Sequence, residues 1–96
     1  MMIYVLIERE IAAEMQSSYE EAARRILTSA YRTVGFIEGQ TYIERGNPLR
    51  RFTLSKWQSE LHWQHWYTSE DRRAQMAQLD PLLVGQERIT ILETAA

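Results

Sequence analysis

The sequence predicts an α+β domain of order β-α-β-β-α-β, with a four-stranded antiparallel sheet carrying both helices on one face. Three observations predict it. The opening run "MMIYVLIERE" is rich in β-branched and aromatic residues and meets charge at Glu8. Apolar residues then step by three and four from Met15 to Ala30. Two alternating stretches flank "GNPL", and a Ser-started helical stretch precedes a last strand, "ERITILE".

The first strand is expected over Met2 to Glu10, with Ile3, Val5 and Ile7 on one side and Tyr4 and Leu6 on the other. Tyr4 and Leu6 are read as the inward row, which continues to Glu8. Glu8 is then either wet or paired with an arginine, or an acid in a cavity. The following helix presents Met15, Tyr19, Ala22, Ala23, Ile26 and Ala30 to the core, and Ser18 with Glu21 fits a capping box at its start. Glu20 with Arg24 and Glu21 with Arg25 are four-apart pairs worth about 0.3 kcal/mol each. Gly35 is expected just past the helix end.

Phe36 to Arg45 and Arg51 to Trp57 alternate as strands, and Gly46, Asn47 and Pro48 supply the chemistry of a hairpin turn between them. Ser59 caps "ELHWQHWY", and Ser69, followed by Glu70 and Asp71, opens a second helical piece to about Leu79. Asp80 and Pro81 break it, and Glu87 to Glu93 is the last strand. Two helices cannot cover two sheet faces. A sheet apolar on both sides therefore needs another cover, and a second copy of the chain, sheet against sheet in a symmetric homodimer, is the simplest one.

The 96 residues make a single domain, 1–96, with an ordered core from about 2 to 93; Thr94 to Ala96 have nothing to pack against and are expected to fray. A net charge of −2 gives no electrostatic reason to expect nucleic acid as a partner. The absence of cysteine excludes disulfides, thiolate metal sites and cysteine nucleophiles, and makes the cytoplasm the natural compartment. The first residues lack a basic region and a small-residue cleavage site, so they are read as neither a signal peptide nor a membrane span.

The order of elements, the length and the phrase "KWQSELHWQHWYTSEDRR" together resemble the antibiotic biosynthesis monooxygenase family of small ferredoxin-like proteins, which pair as dimeric α+β barrels. In that family a strand ends in Trp, and a Ser-capped helix with an aromatic and a further Trp or His follows before a Ser. Here those places fall on Trp57, Ser59, Trp63, Trp66 and Ser69. The resemblance implies oxidation of a flat aromatic molecule by O₂ with no flavin, metal or haem. Of the pocket positions of the quinone-forming branch, the Trp matches Trp57 and the Tyr place holds Trp63. The Asn place falls near Thr53 and the Arg place near Ala77, with Arg73 one turn away. The haem-degrading branch fits less well: Trp66 matches its Trp, but Glu8 stands at its Asn place and Met76 at its axial His place. Haem degradation is therefore disfavoured.

Trp63, Trp66 and Tyr67 stand at i, i+3 and i+4 on one helix, with Trp57 entering from the adjoining strand. They are read either as core packing or as walls of a planar-ligand pocket. His62, beside them, is the candidate base that would deprotonate a phenolic substrate. Tyr4 or Tyr42 would hydrogen-bond a substrate oxygen, and Arg73 is carried as a further pocket residue. His62 and His65 lack a third ligand in the sequence, so no metal site is expected. Two functions stay open: a cofactor-independent monooxygenase acting on or binding a small aromatic molecule, and a non-catalytic dimeric binding or stress-associated module. Cavity volume separates them. If Trp63 and Trp66 pack on Ile26, Leu54 and Met76 with no room for a bicyclic ring, the enzyme reading fails.

Overall fold

The structure is a computed structural model and describes residues 1–95. In chain order the elements are β1 (Ile3–Glu10), α1 (Gln16–Tyr31), β2 (Phe36–Glu44), β3 (Asn47–Trp57), α2 (Glu60–Tyr67), α3 (Glu70–Leu79), a 3₁₀ turn at Asp80–Leu82, and β4 (Arg88–Leu92). All strand pairs are antiparallel, in the order β2-β3-β1-β4, which is the ferredoxin-like arrangement. Of the tail expected to fray, Thr94 and Ala95 are exposed and irregular, and Ala96 lies outside the described residues.

Period-two burial in β1 fixes the layers. Ile3, Val5, Ile7 and Arg9 are buried while Tyr4, Leu6 and Glu8 are half-buried. The row under the helices is thus the opposite of the one expected, and Tyr4, Leu6 and Glu8 point to the back of the sheet. The sequence could not separate the rows because both are apolar as far as residue 7; the helices settle it by packing on Ile3, Val5 and Ile7. Glu8 is paired on that back face, 3.5 Å from Arg50 and 3.9 Å from Arg88.

Tyr19, Ala22, Ile26 and Ala30 form the buried stripe of α1 and join Val5, Trp57, Trp63, Met76 and Leu79 in one core. This helix starts three residues earlier than the capping box predicts. Met15 occupies the cap with no side-chain bond, leaving Ser18 and Glu21 inside the first turns. Glu21 pairs with Arg25 as expected, whereas Glu20 reaches Arg51 on β3 at 3.2 Å. The hairpin loop is Arg45–Gly46, with Gly46 at φ +84°, and Asn47 and Pro48 already belong to β3. Ser59 and Ser69 cap α2 and α3 as read, accepting from the amides of His62 and Arg72. The end of β1 is clipped in place where the Ile11 amide donates to the Leu49 carbonyl and the Val84 amide to the Glu10 carbonyl, both at 2.8 Å.

Candidate functional site

Between α1 and the front of the sheet lies a cavity of about 490 Å³, within the usual range of roughly 300–1,000 Å³ for small-molecule sites. Its floor includes Ile7, Thr53 and Ser55, its roof Ala23 and Leu27, and Trp57, Trp63 and Trp66 close one end. Leu54, expected to help fill this space, points to the back of the sheet by its pairing with Leu6. Trp63 and Trp66 share the core with Ile26 and Met76, as expected, and still border this cavity.

The tryptophans are both core and wall. They are 1%, 3% and 4% exposed at Trp57, Trp63 and Trp66, yet each borders the cavity. Phe36, Trp57 and Trp63 stack edge to face, with ring centroids 5.3 and 5.7 Å apart, and Tyr67 continues the row at 5.4 Å from Trp63. Trp57 Nε1 donates to Ser55 Oγ at 3.0 Å, which fixes the indole from the same strand face.

The other expected residues are placed differently. His62 stands off the cavity wall: its ring lies over Gly35, whose missing Cβ would come within 2.4 Å of it, and its Nδ1 is 2.6 Å from Ser59 Oγ. That contact occupies Nδ1 and holds the ring over Gly35, turned away from the cavity. Gly35, expected just past the end of α1, lies three residues beyond the Arg32 cap, in a loop where close approach and a φ of +95° both require glycine. Tyr4 is on the back face, with Lys56 Nζ 5.5 Å from its ring centroid. Tyr42 pairs with Phe52 on that same back face and is 49% exposed, at a strand edge bordering the cavity. Arg73 is exposed, and its neighbour Arg72 turns inward instead, 6% exposed and on the cavity wall. Among the described residues no three His, Asp or Glu side chains converge to hold a metal ion.

Arg72 belongs to a buried polar cluster that sequence reasoning missed. Glu87, ahead of β4, accepts from Arg9 Nε at 2.9 Å with one oxygen and from Arg72 Nη2 at 2.6 Å with the other. Arg9 also donates to the Tyr19 hydroxyl at 3.3 Å. Burial by itself would raise the Glu87 pKa, but the two guanidiniums outweigh it and hold the carboxyl below its ordinary range. For Arg9, burial would weaken proton binding, but Tyr19 and Glu87 outweigh it and keep its pKa above the ordinary value. Arg72 lies over the Tyr67 ring at 4.8 Å and the Trp63 ring at 6.0 Å, joining the charged cluster to the aromatic row. A signal for these arginines exists in the sequence. Arg9 continues the Ile3, Val5, Ile7 row by period two, and Arg72 precedes Met76 and Leu79 at helical spacing.

A family model described as antibiotic biosynthesis monooxygenase matches residues 2–78. No curated protein matches the sequence. Among solved structures, a conserved protein from Methanosarcina mazei Go1 is similar with a TM-score of 0.91 and 18% identity, over 98% of this chain and 93% of that one. SnoaB from Streptomyces nogalater, described as a cofactor-independent oxygenase, is similar with a TM-score of 0.89 and 10% identity, over 99% and 94% of the two chains. A Mycobacterium tuberculosis protein has a TM-score of 0.88 and 14% identity, over 100% and 97%. At such identities the likeness is one of fold.

Proposed function

The chain belongs to the antibiotic biosynthesis monooxygenase family, and on that footing we propose that its cavity receives a flat aromatic phenol or quinol and promotes its oxidation by O₂ without a cofactor. The observation that carries this is the cavity of about 490 Å³ with Trp57, Trp63 and Trp66 on its wall. The indole rings hold a planar ring in place and exclude water. Arg9, Arg24, Arg51 and Arg72 also border the cavity, against one carboxylate on the lining, Glu20, itself paired with Arg51. This positive surround favours the phenolate over the phenol. With His62 off the wall, the proton passes to water at the exposed mouth by Thr41 and Ile43. The phenolate makes a ring carbon electron-rich enough to react with O₂. On a phenol, one oxygen atom stays on that carbon as the second carbonyl of a quinone, and the other leaves as water with the phenolic and the ring hydrogen; a quinol gives its two hydroxyl hydrogens to O₂, which leaves as hydrogen peroxide.

The working unit is a homodimer formed through the back of the sheet. Leu6, Phe52 and Leu54 are half-buried there and Tyr42 is exposed, an apolar surface that the described residues do not cover. A second reading, binding without turnover, is favoured by the engaged Nδ1 of His62. Oxygen uptake with naphthols and naphthalenediols tests the choice. Consumption above the protein-free rate supports the enzyme; tight binding with no consumption leaves a binding module.

A further inference from the structure

The cluster beside the tryptophans has more donors than acceptors. Glu87 has two oxygens, and each is taken by a different arginine. Arg72 Nε is buried with no partner, in a side chain that is 7% exposed. The Tyr19 hydroxyl accepts from Arg9, which leaves its own proton without an acceptor among the described residues. Arg9, Tyr19 and Arg72 all border the same cavity, while Glu87 stands behind them. Two guanidiniums against one carboxylate leave an excess positive charge where water is scarce, and an uncompensated buried charge is costly. Met76, which also packs on Arg9, offers only a thioether at 3.9 Å, a weak acceptor. What the site lacks is a second carboxylate.

We infer that the ligand supplies it: Arg72, Arg9 and Tyr19 form a carboxylate-recognition site, and the molecule the cavity selects is an aromatic acid. Its ring lies against Trp63 and Trp66, and its ionised carboxylate is directed to Arg72 and Tyr19. A carboxylate there completes a pair of cations and a pair of anions, and it accepts the free proton of the Tyr19 hydroxyl beside the charge of Arg72. A neutral amide of the same shape accepts the hydrogen bonds but leaves the charge uncompensated. This rests on the aromatic-pocket reading above and adds to it a charge requirement that pocket shape does not impose.

The test is calorimetric titration of the intact protein with 2-naphthoate and with 2-naphthamide, neither of which can be oxidised to a quinone without first being hydroxylated. Naphthoate is expected to bind about tenfold more tightly or better. Arg72→Gln and Tyr19→Phe should each narrow that preference. Glu87→Gln, which removes the internal counter-charge, should widen it, a change of sign that damage to the fold would not produce. Equal affinity of the two probes, or a narrower preference in Glu87→Gln, overturns the carboxylate site while leaving the aromatic pocket standing. Failure of both probes to bind overturns the pocket reading as well.

Discussion

Arg72 and Glu87 are joined at 2.6 Å between Nη2 and Oε2, so the first turn of α3 is tied to the residue that precedes β4. Arg9 on β1 shares the same carboxylate. Removing it strands two buried guanidiniums, and Glu87→Ala is expected to cost about 3–5 kcal/mol of unfolding free energy. Urea denaturation measures this. A loss below about 1 kcal/mol would mean that the cluster contributes little to stability.

The same carboxylate sets an acid limit. Its folded pKa lies below the unfolded one because Arg9 and Arg72 overcome the effect of burial. Its contribution is therefore fully present above the unfolded carboxyl value of about 4.3 and is lost as pH falls through the lower folded value. Wild-type stability should fall more steeply below about pH 4.3 than that of Glu87→Gln. Parallel pH profiles for the two proteins would refute the assignment.

Gly35 and His62 should be coupled. An alanine at position 35 faces both the His62 ring within 2.4 Å and a left-handed backbone of φ +95°. In the wild-type background Gly35→Ala should cost more than the 1–2 kcal/mol or so of the backbone conformation alone. In a His62→Gly background, which removes the Cβ as well as the ring that the new methyl would meet, the cost should fall to about that value, a coupling that a double-mutant cycle reads directly. Ligand binding and oxygen uptake should survive His62→Ala. Loss of uptake with binding intact would return His62 to the role of proton acceptor.

Trp63→Leu removes the ring that meets both Trp57 and Tyr67. Binding of 1-naphthol is expected to weaken by about tenfold, with part of the effect from lost stacking of roughly 0.5–1.5 kcal/mol. Unchanged affinity would place the ligand elsewhere.

Leu54 faces Leu6 across the back of the sheet, far from the cavity floor. Leu54→Glu should convert a homodimer into monomers in sedimentation equilibrium, because a buried unpaired carboxylate is not tolerated at an interface core. A wild-type protein that sediments as a single subunit at micromolar concentration would remove the dimer from the proposal.

Much of the fold was legible because its signals are local. Ser59 and Ser69 announce their helices through bonds to amides three residues on, and Gly46 announces its turn by backbone conformation. Parity in β1 was not legible, since Tyr4 and Leu6 are as apolar as Val5 and Ile7, and a shift of one residue exchanges the faces. The aromatic half of the site could be read from helical spacing. For the charged half, Arg72 and Arg73 are neighbours in sequence about 100° apart on a helix, so the choice between them depends on phase. Glu87 carries no local mark at all, being 78 residues from its partner Arg9.

The edge-on contact of Trp57 with Trp63, 5.7 Å between centroids at an interplanar angle of 68°, has an optical outcome. The intense far-ultraviolet transitions of indoles that near and that skewed couple, so native protein should carry a split far-ultraviolet dichroic band that vanishes on unfolding. A guest wedged alongside Trp63 would perturb that doublet, giving the molecule an intrinsic gauge of occupancy with no label attached.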